Sequence, residues 1–223
     1  IQASHRGQSD WVQPMVRNPE MDGDYISMGP GKKTKQQFYA DDRLFFIVWD
    51  GSLRVSVQGK EPFVASKGFM VNIPARHVYS LETVGGTPAL RFEVRQAGAP
   101  PLYPGSETPE PRAGVRYVKV TGTPGPWVDR DTNPLYFDFF KTVAAGGKLP
   151  APAFARDDHF TANVIRGAAA PVPPDTELGH FHVGFTEFWF IMEGSIGYKI
   201  EDFPYFRTEP GDVVIAAKGR WHR

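Results

Sequence analysis

Apolar residues in this chain fall into short blocks separated by turn formers, and the blocks show little 3.6-residue periodicity. LFFIVWDGSLRVSV at 44–57, EPFVASKGFMVNIPARHVYSLE at 61–82 and ALRFEVR at 89–95 are rich in branched and aromatic residues and are broken by Gly, Pro and Asp. Blocks of that kind read as β-strands joined by tight turns. RYVKV at 116–120, FTANVIRG at 160–167, FWFIM at 188–192 and the apolar run 213–217 repeat the pattern in the second half. NPLYFDFFKTVAAGG at 133–147 is expected to be strand or irregular rather than helix, because Pro134 and the density of aromatics oppose a regular helix. Residues 1–36 are polar and turn-rich, with GPGKKTK ahead of the first long apolar run. The pattern as a whole predicts an all-β sandwich or barrel.

The two halves superimpose with an offset of 143 residues: RLFFIVWDG at 43–51 lies on TEFWFIMEG at 186–194. Gly51 to Gly68 and Gly194 to Gly211 are both separations of 17 residues. A fixed period with conserved turn spacing points to two copies of one β unit. Between them, QAGAPPLYPGSETPEPRAGV at 96–115 is Pro- and Gly-rich and reads as a linker. The expected domains are therefore 1–95 and 116–223, joined by 96–115.

Candidate chemistry concentrates in the second copy. In GHFHVGFTEFWFIMEG at 179–194, His180 and His182 are two apart, so on a strand they project to one face. The 183–186 link can turn the chain and bring Glu187 back to them. The terminal PGDVVIAAKGRWHR adds His222 after a strand and a turn. A lone histidine in an apolar strand is usually a hydrogen-bonded core residue. Three of them with a carboxylate among aromatics are better explained by a divalent metal, since a buried carboxylate is costly unless paired or metal-bound.

These residues resemble the cupin family. Its first motif runs His-x-His, four residues, Glu, six residues, Gly, and His180, His182, Glu187 and Gly194 match it; its second is matched by Gly211, Gly219 and His222. Ala217 stands where the second motif has Pro, and Pro174 where the first opens with Gly. The resemblance implies two cupin-type β-barrels (double-stranded β-helix, jelly-roll-like) in one chain, a bicupin, with His180, His182, Glu187 and His222 as metal ligands. In the first barrel the corresponding positions hold Gln37, Tyr39, Leu44 and Tyr79, so that barrel is expected to bind no metal. His77 lies nearby and reads more simply as a turn residue than as a rescued ligand.

Composition narrows the function. Lys plus Arg and Asp plus Glu both number 25, so no net field attracts nucleic acid or an anionic membrane surface, and no apolar run approaches the length of a membrane span. There is no cysteine, which excludes disulfides and thiolate sites. The expected ion is iron first, with nickel, manganese, zinc or copper as alternatives. Two functions follow: a mononuclear non-haem iron dioxygenase-type oxidoreductase acting on a small aromatic or organic acid, or a non-catalytic, metal-supported small-molecule-binding module. A Zn, Mn or Ni isomerase, decarboxylase or lyase is a further option. His159, in ARDDHFTANV, and Tyr198 are weak candidates for an acid or base. Tyr198 and Trp221 are expected to line a pocket, and Lys199, Arg220 and Arg166 could meet a substrate carboxylate. The partner is expected to be a small molecule, and the assembly a two-barrel monomer or a homodimer. Ile1 is not an initiator, so residues upstream are expected; a cleaved signal would make the protein periplasmic, and otherwise it is cytoplasmic. Because the first copy runs on to residue 95, the second is expected to continue past Arg223 to its closing strand or, as the alternative, to take that strand from the N-terminal segment.

Overall fold

The computed structural model describes residues 4–119, 131–147, 153–167 and 171–223, and the chain divides into two compact units, 1–164 and 165–223. In the first unit the strands are β1 (Trp11–Arg17), β2 (Met21–Met28), β3 (Leu44–Asp50), β4 (Ser52–Val57), β5 (Phe63–Ser66), β6 (Phe69–Ile73), β7 (Tyr79–Thr83), β8 (Ala89–Gln96) and β9 (Tyr136–Asp138). A six-residue helix α1 (Phe139–Ala144) and a short pair, β10 (Ala155–Arg156) and β11 (Thr161–Ala162), follow. One sheet has the order β1-β2-β8-β3-β6-β9, and the other β5-β4-β7. Their facing side chains form a single core that includes Leu44, Phe46 and Val48 of β3, Leu53 and Val55 of β4, Val71 of β6 and Leu81 of β7. The architecture is all-β, as the alternation of short apolar blocks and turns predicts. Among the described residues no helix is long and apolar enough to cross a membrane.

Several expectations are corrected. β1 and β2 lie within the polar, turn-rich residues 1–36, where the sequence carries no strong strand signal. Pro14 sits in β1, which is an edge strand where a missing N–H is tolerated. Asp24 on β2 is buried because Arg17 and Arg95 pair with it at 2.5 and 2.8 Å, so a carboxylate faces inward without being left uncompensated. Residues 116–119 form no strand, and residue 120 lies outside the described residues. The 96–115 stretch is not free of contacts: Leu102 and Phe38 exchange backbone hydrogen bonds of 2.9 and 2.8 Å.

Residues 136–162 pack with the first unit, not the second. β9 completes the edge of the large sheet by pairing with β6, and Tyr136 stacks on Phe63 at 4.4 Å. Phe154 packs on Phe45 and Phe137, and Phe160 on Phe45. Buried Arg43 ties the segment down, bonding Asp157 through Nε, Asp131 at 3.0 Å through Nη2 and Asn72 at 2.6 Å through Nη1. The aromatics that argued against a helix at 133–147 cover the apolar outer flank of β3 and β6. After β9 the chain does turn into α1, capped by the Asp138 carboxylate accepting the Lys141 N–H at 3.0 Å.

The second unit holds β12 (Glu187–Phe190), β13 (Gly197–Tyr198), β14 (Phe206–Arg207) and β15 (Val213–Ala216), with β12 paired to β15 and β13 to β14. Its core is small: Ile191, Tyr198 and Val214, with Trp189, Ile200 and Phe206 against them. The 143-residue offset read from the sequence recurs in the ladders. Leu44 pairs with Ile73 as Glu187 pairs with Ala216, and Phe46 with Val71 as Trp189 with Val214. Arg54 pairs with Val64 as Gly197 with Arg207, and Val55 with Phe63 as Tyr198 with Phe206.

Candidate metal centre

Backbone pairing brings the four donors together. His180 and His222 form an antiparallel bridge in which each N–H donates to the other's carbonyl, at 3.0 and 2.9 Å. The approach is so close that a Cβ on Gly179, whose φ is +80°, would collide with the His222 carbonyl oxygen; only glycine fits there. Gly219, also at positive φ, donates its N–H to the His182 carbonyl at 2.7 Å and fixes the third histidine. Glu187 opens β12, where the pairing with Ala216 sets its direction.

The ligand atoms of His180, His182, Glu187 and His222 lie within 4.8 Å of one another, a group that could hold a metal ion. Glu187 Oε2 is 2.9 Å from His182 Nε2 and 3.3 Å from His222 Nε2. His222 Nδ1 lies 2.9 Å from the Arg220 carbonyl oxygen, which can only accept, so that nitrogen carries a proton and Nε2 is the atom turned to the cluster. His222 is 3% exposed, and its Nε2 has no hydrogen-bond partner among the described residues. A buried imidazole nitrogen this close to a carboxylate oxygen calls for a cation shared between them, a proton or a metal ion. The donor set, imidazole nitrogens plus one carboxylate, suits a borderline divalent ion such as iron, nickel, zinc or copper. Burial falls from His222, which is buried, through half-buried Glu187 and His182 to exposed His180, so the centre opens on the His180 side. Phe185 stacks on the His182 ring at 4.2 Å, and Phe181 meets Trp221 edge-on at 4.5 Å.

The other candidates separate. Tyr198 is buried in this unit, its ring 5.3 Å from Trp189. Trp221 is 39% exposed. Lys199 donates to the Phe203 carbonyl and Arg220 pairs with Glu201 at 2.9 Å, both at the surface; Arg166 is exposed. His159 belongs to the first unit. There it lines a cavity of about 500 Å³ together with Asp42, Arg43, Asp157 and the buried His77. Burial raises the Asp42 carboxyl above the usual carboxylate range. Asp157 behaves oppositely: burial pushes its carboxyl up, but the hydrogen bond from Arg43 and the N–H groups of His159 and Phe160 outweigh that and hold it low. Two residues of the second unit's site escaped the sequence argument. Trp189, 5.2 Å from the His222 ring, is found by counting two along the strand from Glu187. Gly179, which precedes the first histidine, is found only once the His222 backbone is known to pass beside it.

No protein-family model matches the chain, and neither does any curated protein. Solved structures to which it is similar include a cupin-like protein from Thermotoga maritima, 20% identical over 44% of this chain and 77% of that one, with a TM-score of 0.40. An RmlC-like cupin with a double-stranded β-helix fold from Methanocaldococcus jannaschii is 16% identical over 41% of this chain and 84% of that one, at 0.37. A DMSP lyase from Ruegeria pomeroyi is 13% identical over 44% of this chain and 54% of that one, at 0.40.

Proposed function

We propose that residues 165–223 hold one divalent metal through His180, His182, Glu187 and His222, and that the protein is a mononuclear non-haem iron dioxygenase-type oxidoreductase for a small aromatic or organic acid. The observation that supports the metal is the convergence of three imidazoles and one carboxylate, their ligand atoms within 4.8 Å of one another, with the buried His222 Nε2 3.3 Å from Glu187 Oε2. Iron(II) would supply one-electron chemistry toward dioxygen, which protein side chains alone lack. The chain's own residues bind and orient. The His180–His222 bridge keeps two imidazoles edge-on, 4.5 Å apart, and the Arg220 carbonyl orients the His222 ring. Trp189 packs against the buried His222 ring, and Phe185 stacks on His182.

Elemental analysis of protein purified without added metal is expected to find about one equivalent of metal per chain, and His182→Ala to lose it with the first unit still folded. Full metal retention in that variant would reject the ligand set. Oxygen uptake on adding iron(II) and a panel of aromatic and keto acids tests the reaction. Stoichiometric metal with no uptake on any of them would favour a binding module instead.

A further inference from the structure

We infer that the Tyr198 hydroxyl is the hydrogen-bond donor for an anionic oxygen ligand, a substrate carboxylate or enolate, held at the metal of the second unit; this rests on the metal assignment above. Tyr198 is 4% exposed, and its hydroxyl has no hydrogen-bond partner among the described residues. Buried hydroxyls are nearly always satisfied, and one that is not calls for an explanation. The side chain cannot swing out to find water. It is held between the Trp189 ring at 5.3 Å and the Phe206 ring at 5.8 Å, on a strand paired to β14.

The fold itself does not require a hydroxyl at this position. The residue 143 places earlier is Val55, wholly buried and in the same ladder position of the unit that lacks the histidine and glutamate set. The hydroxyl therefore occurs in the copy that has the ligand cluster, and there Ile200, two places further along, bridges His222, so Tyr198 and His222 face the same side of the ladder with the Trp189 ring against both. A phenol is protonated at neutral pH, so Tyr198 acts as a donor rather than as a fifth, anionic ligand. Glu187 is not its acceptor in the structure, because the hydroxyl has no hydrogen-bond partner among the described residues. Charge decides what kind of acceptor completes the site. Three neutral imidazoles and one carboxylate leave a divalent ion with a single net positive charge, which one monoanionic oxygen ligand balances. A phenol beside that ligand adds a hydrogen bond to a charged acceptor, the stronger class of such bonds.

The test uses cobalt(II)-loaded protein, whose visible spectrum reports ligands entering the metal's coordination sphere. Wild type and Tyr198→Phe are each titrated with acetate, an oxygen anion, and with imidazole, a neutral nitrogen ligand. Both proteins are expected to take up one cobalt and to bind imidazole equally, while Tyr198→Phe binds acetate about tenfold more weakly, the loss expected for one hydrogen bond to a charged group. Equal acetate affinities, or parallel losses of acetate and imidazole, would overturn the inference and leave the metal assignment standing. A wild-type protein that takes up no cobalt would overturn both. If Tyr198→Phe takes up no cobalt, Tyr198→Val, which installs the residue of the first unit, is titrated in its place; should that also fail, the hydroxyl is structural and the inference falls.

Discussion

At positions 37, 39, 44 and 79 the first unit carries Gln, Tyr, Leu and Tyr, and 143 residues later the second carries His, His, Glu and His. The backbone does the same thing at both. Gln37 and Tyr79 exchange N–H to carbonyl bonds of 3.0 and 2.8 Å, as His180 and His222 do, and the Tyr39 and His182 carbonyls each accept an N–H at 2.7 Å, from Arg76 and Gly219. What differs is how the side chains are satisfied. In the first unit Gln37 Nε2 donates to the Tyr79 hydroxyl at 2.8 Å and Leu44 is buried at 1% exposure, so the corner is closed by its own residues. In the second the His222 Nε2 and Tyr198 hydroxyl have no hydrogen-bond partner among the described residues. The ladder gives both units the same backbone pairing; their side chains decide whether the corner is closed from within, as in the first, or left as a group that could hold an ion, as in the second.

The comparison breaks most visibly if the metal is removed. Among the described residues the second unit's core cluster has three buried members, Ile191, Tyr198 and Val214, whereas that of the first packs two sheets around fourteen. Metal binding to a small unit is in effect folding free energy. Chelation is therefore expected to lower amide protection across 180–222 by about a thousandfold, roughly 4 kcal/mol, and to leave β3, β6 and β8 unchanged in hydrogen exchange. Equal protection of both units with and without chelator would remove the distinction.

Next in size is Arg43→Met, which acts on the first unit alone. Arg43 is 6% exposed in its side chain and serves Asp131, Asp157 and Asn72. Removing one partner from a buried ionic network is expected to cost about 3 kcal/mol in the thermal transition of that unit, with metal content unaltered. The pH dependence has a definite sign. Because the folded Asp157 carboxyl is held low, its contribution is complete above the ordinary carboxylate pKa of about 3.9 and is lost as the pH falls through the folded value. Arg43→Met should flatten that acid limb in urea titrations run at a series of pH values.

How much of this was legible follows from the same contrast. The donors at 180, 182, 187 and 222 and the strands over 44–95 announce themselves, because an apolar run bounded by turns and a histidine two places from another have local signatures. β2 does not, because its inward Asp24 is neutralised by Arg17 and by Arg95, 71 residues away. Assigning 136–162 to the second copy fails for a like reason: an aromatic stretch does not say which sheet it covers, and Arg43 reaches across 114 residues to choose. Tyr198 reads from the sequence as a pocket residue and a weak acid or base candidate; its buried hydroxyl, with no hydrogen-bond partner among the described residues, gives it the more specific role of a donor.

A smaller change probes the histidine bridge. Gly179→Ala places a methyl against the His222 carbonyl at a backbone angle that Ala disfavours, and is expected to cost the second unit about 2 kcal/mol, read as weaker retention of metal against a competing chelator. The matching residue in the first unit is the exposed Gln36, which lacks the positive φ, and Gln36→Ala should be neutral there. If the two substitutions had equal effects, the close approach at His222 would not be what shapes the centre.

The smallest predicted effect is the most discriminating, because one chemical change is made in both units. Tyr79→Phe deletes a hydroxyl that accepts the Gln37 amide at 2.8 Å and leaves that half-buried donor without this partner, so it is expected to destabilise the first unit by about 1 kcal/mol. Tyr198→Phe deletes a hydroxyl with no hydrogen-bond partner among the described residues and relieves an unsatisfied buried group, so the second unit, metal-loaded and free of other ligands, should be unchanged or slightly more stable. Differential scanning calorimetry of the two variants reads both signs. A loss of about 1 kcal/mol in each would mean that the Tyr198 hydroxyl has a structural partner after all, and the difference between a self-satisfied corner and an open one would then rest on the histidines and Glu187 alone.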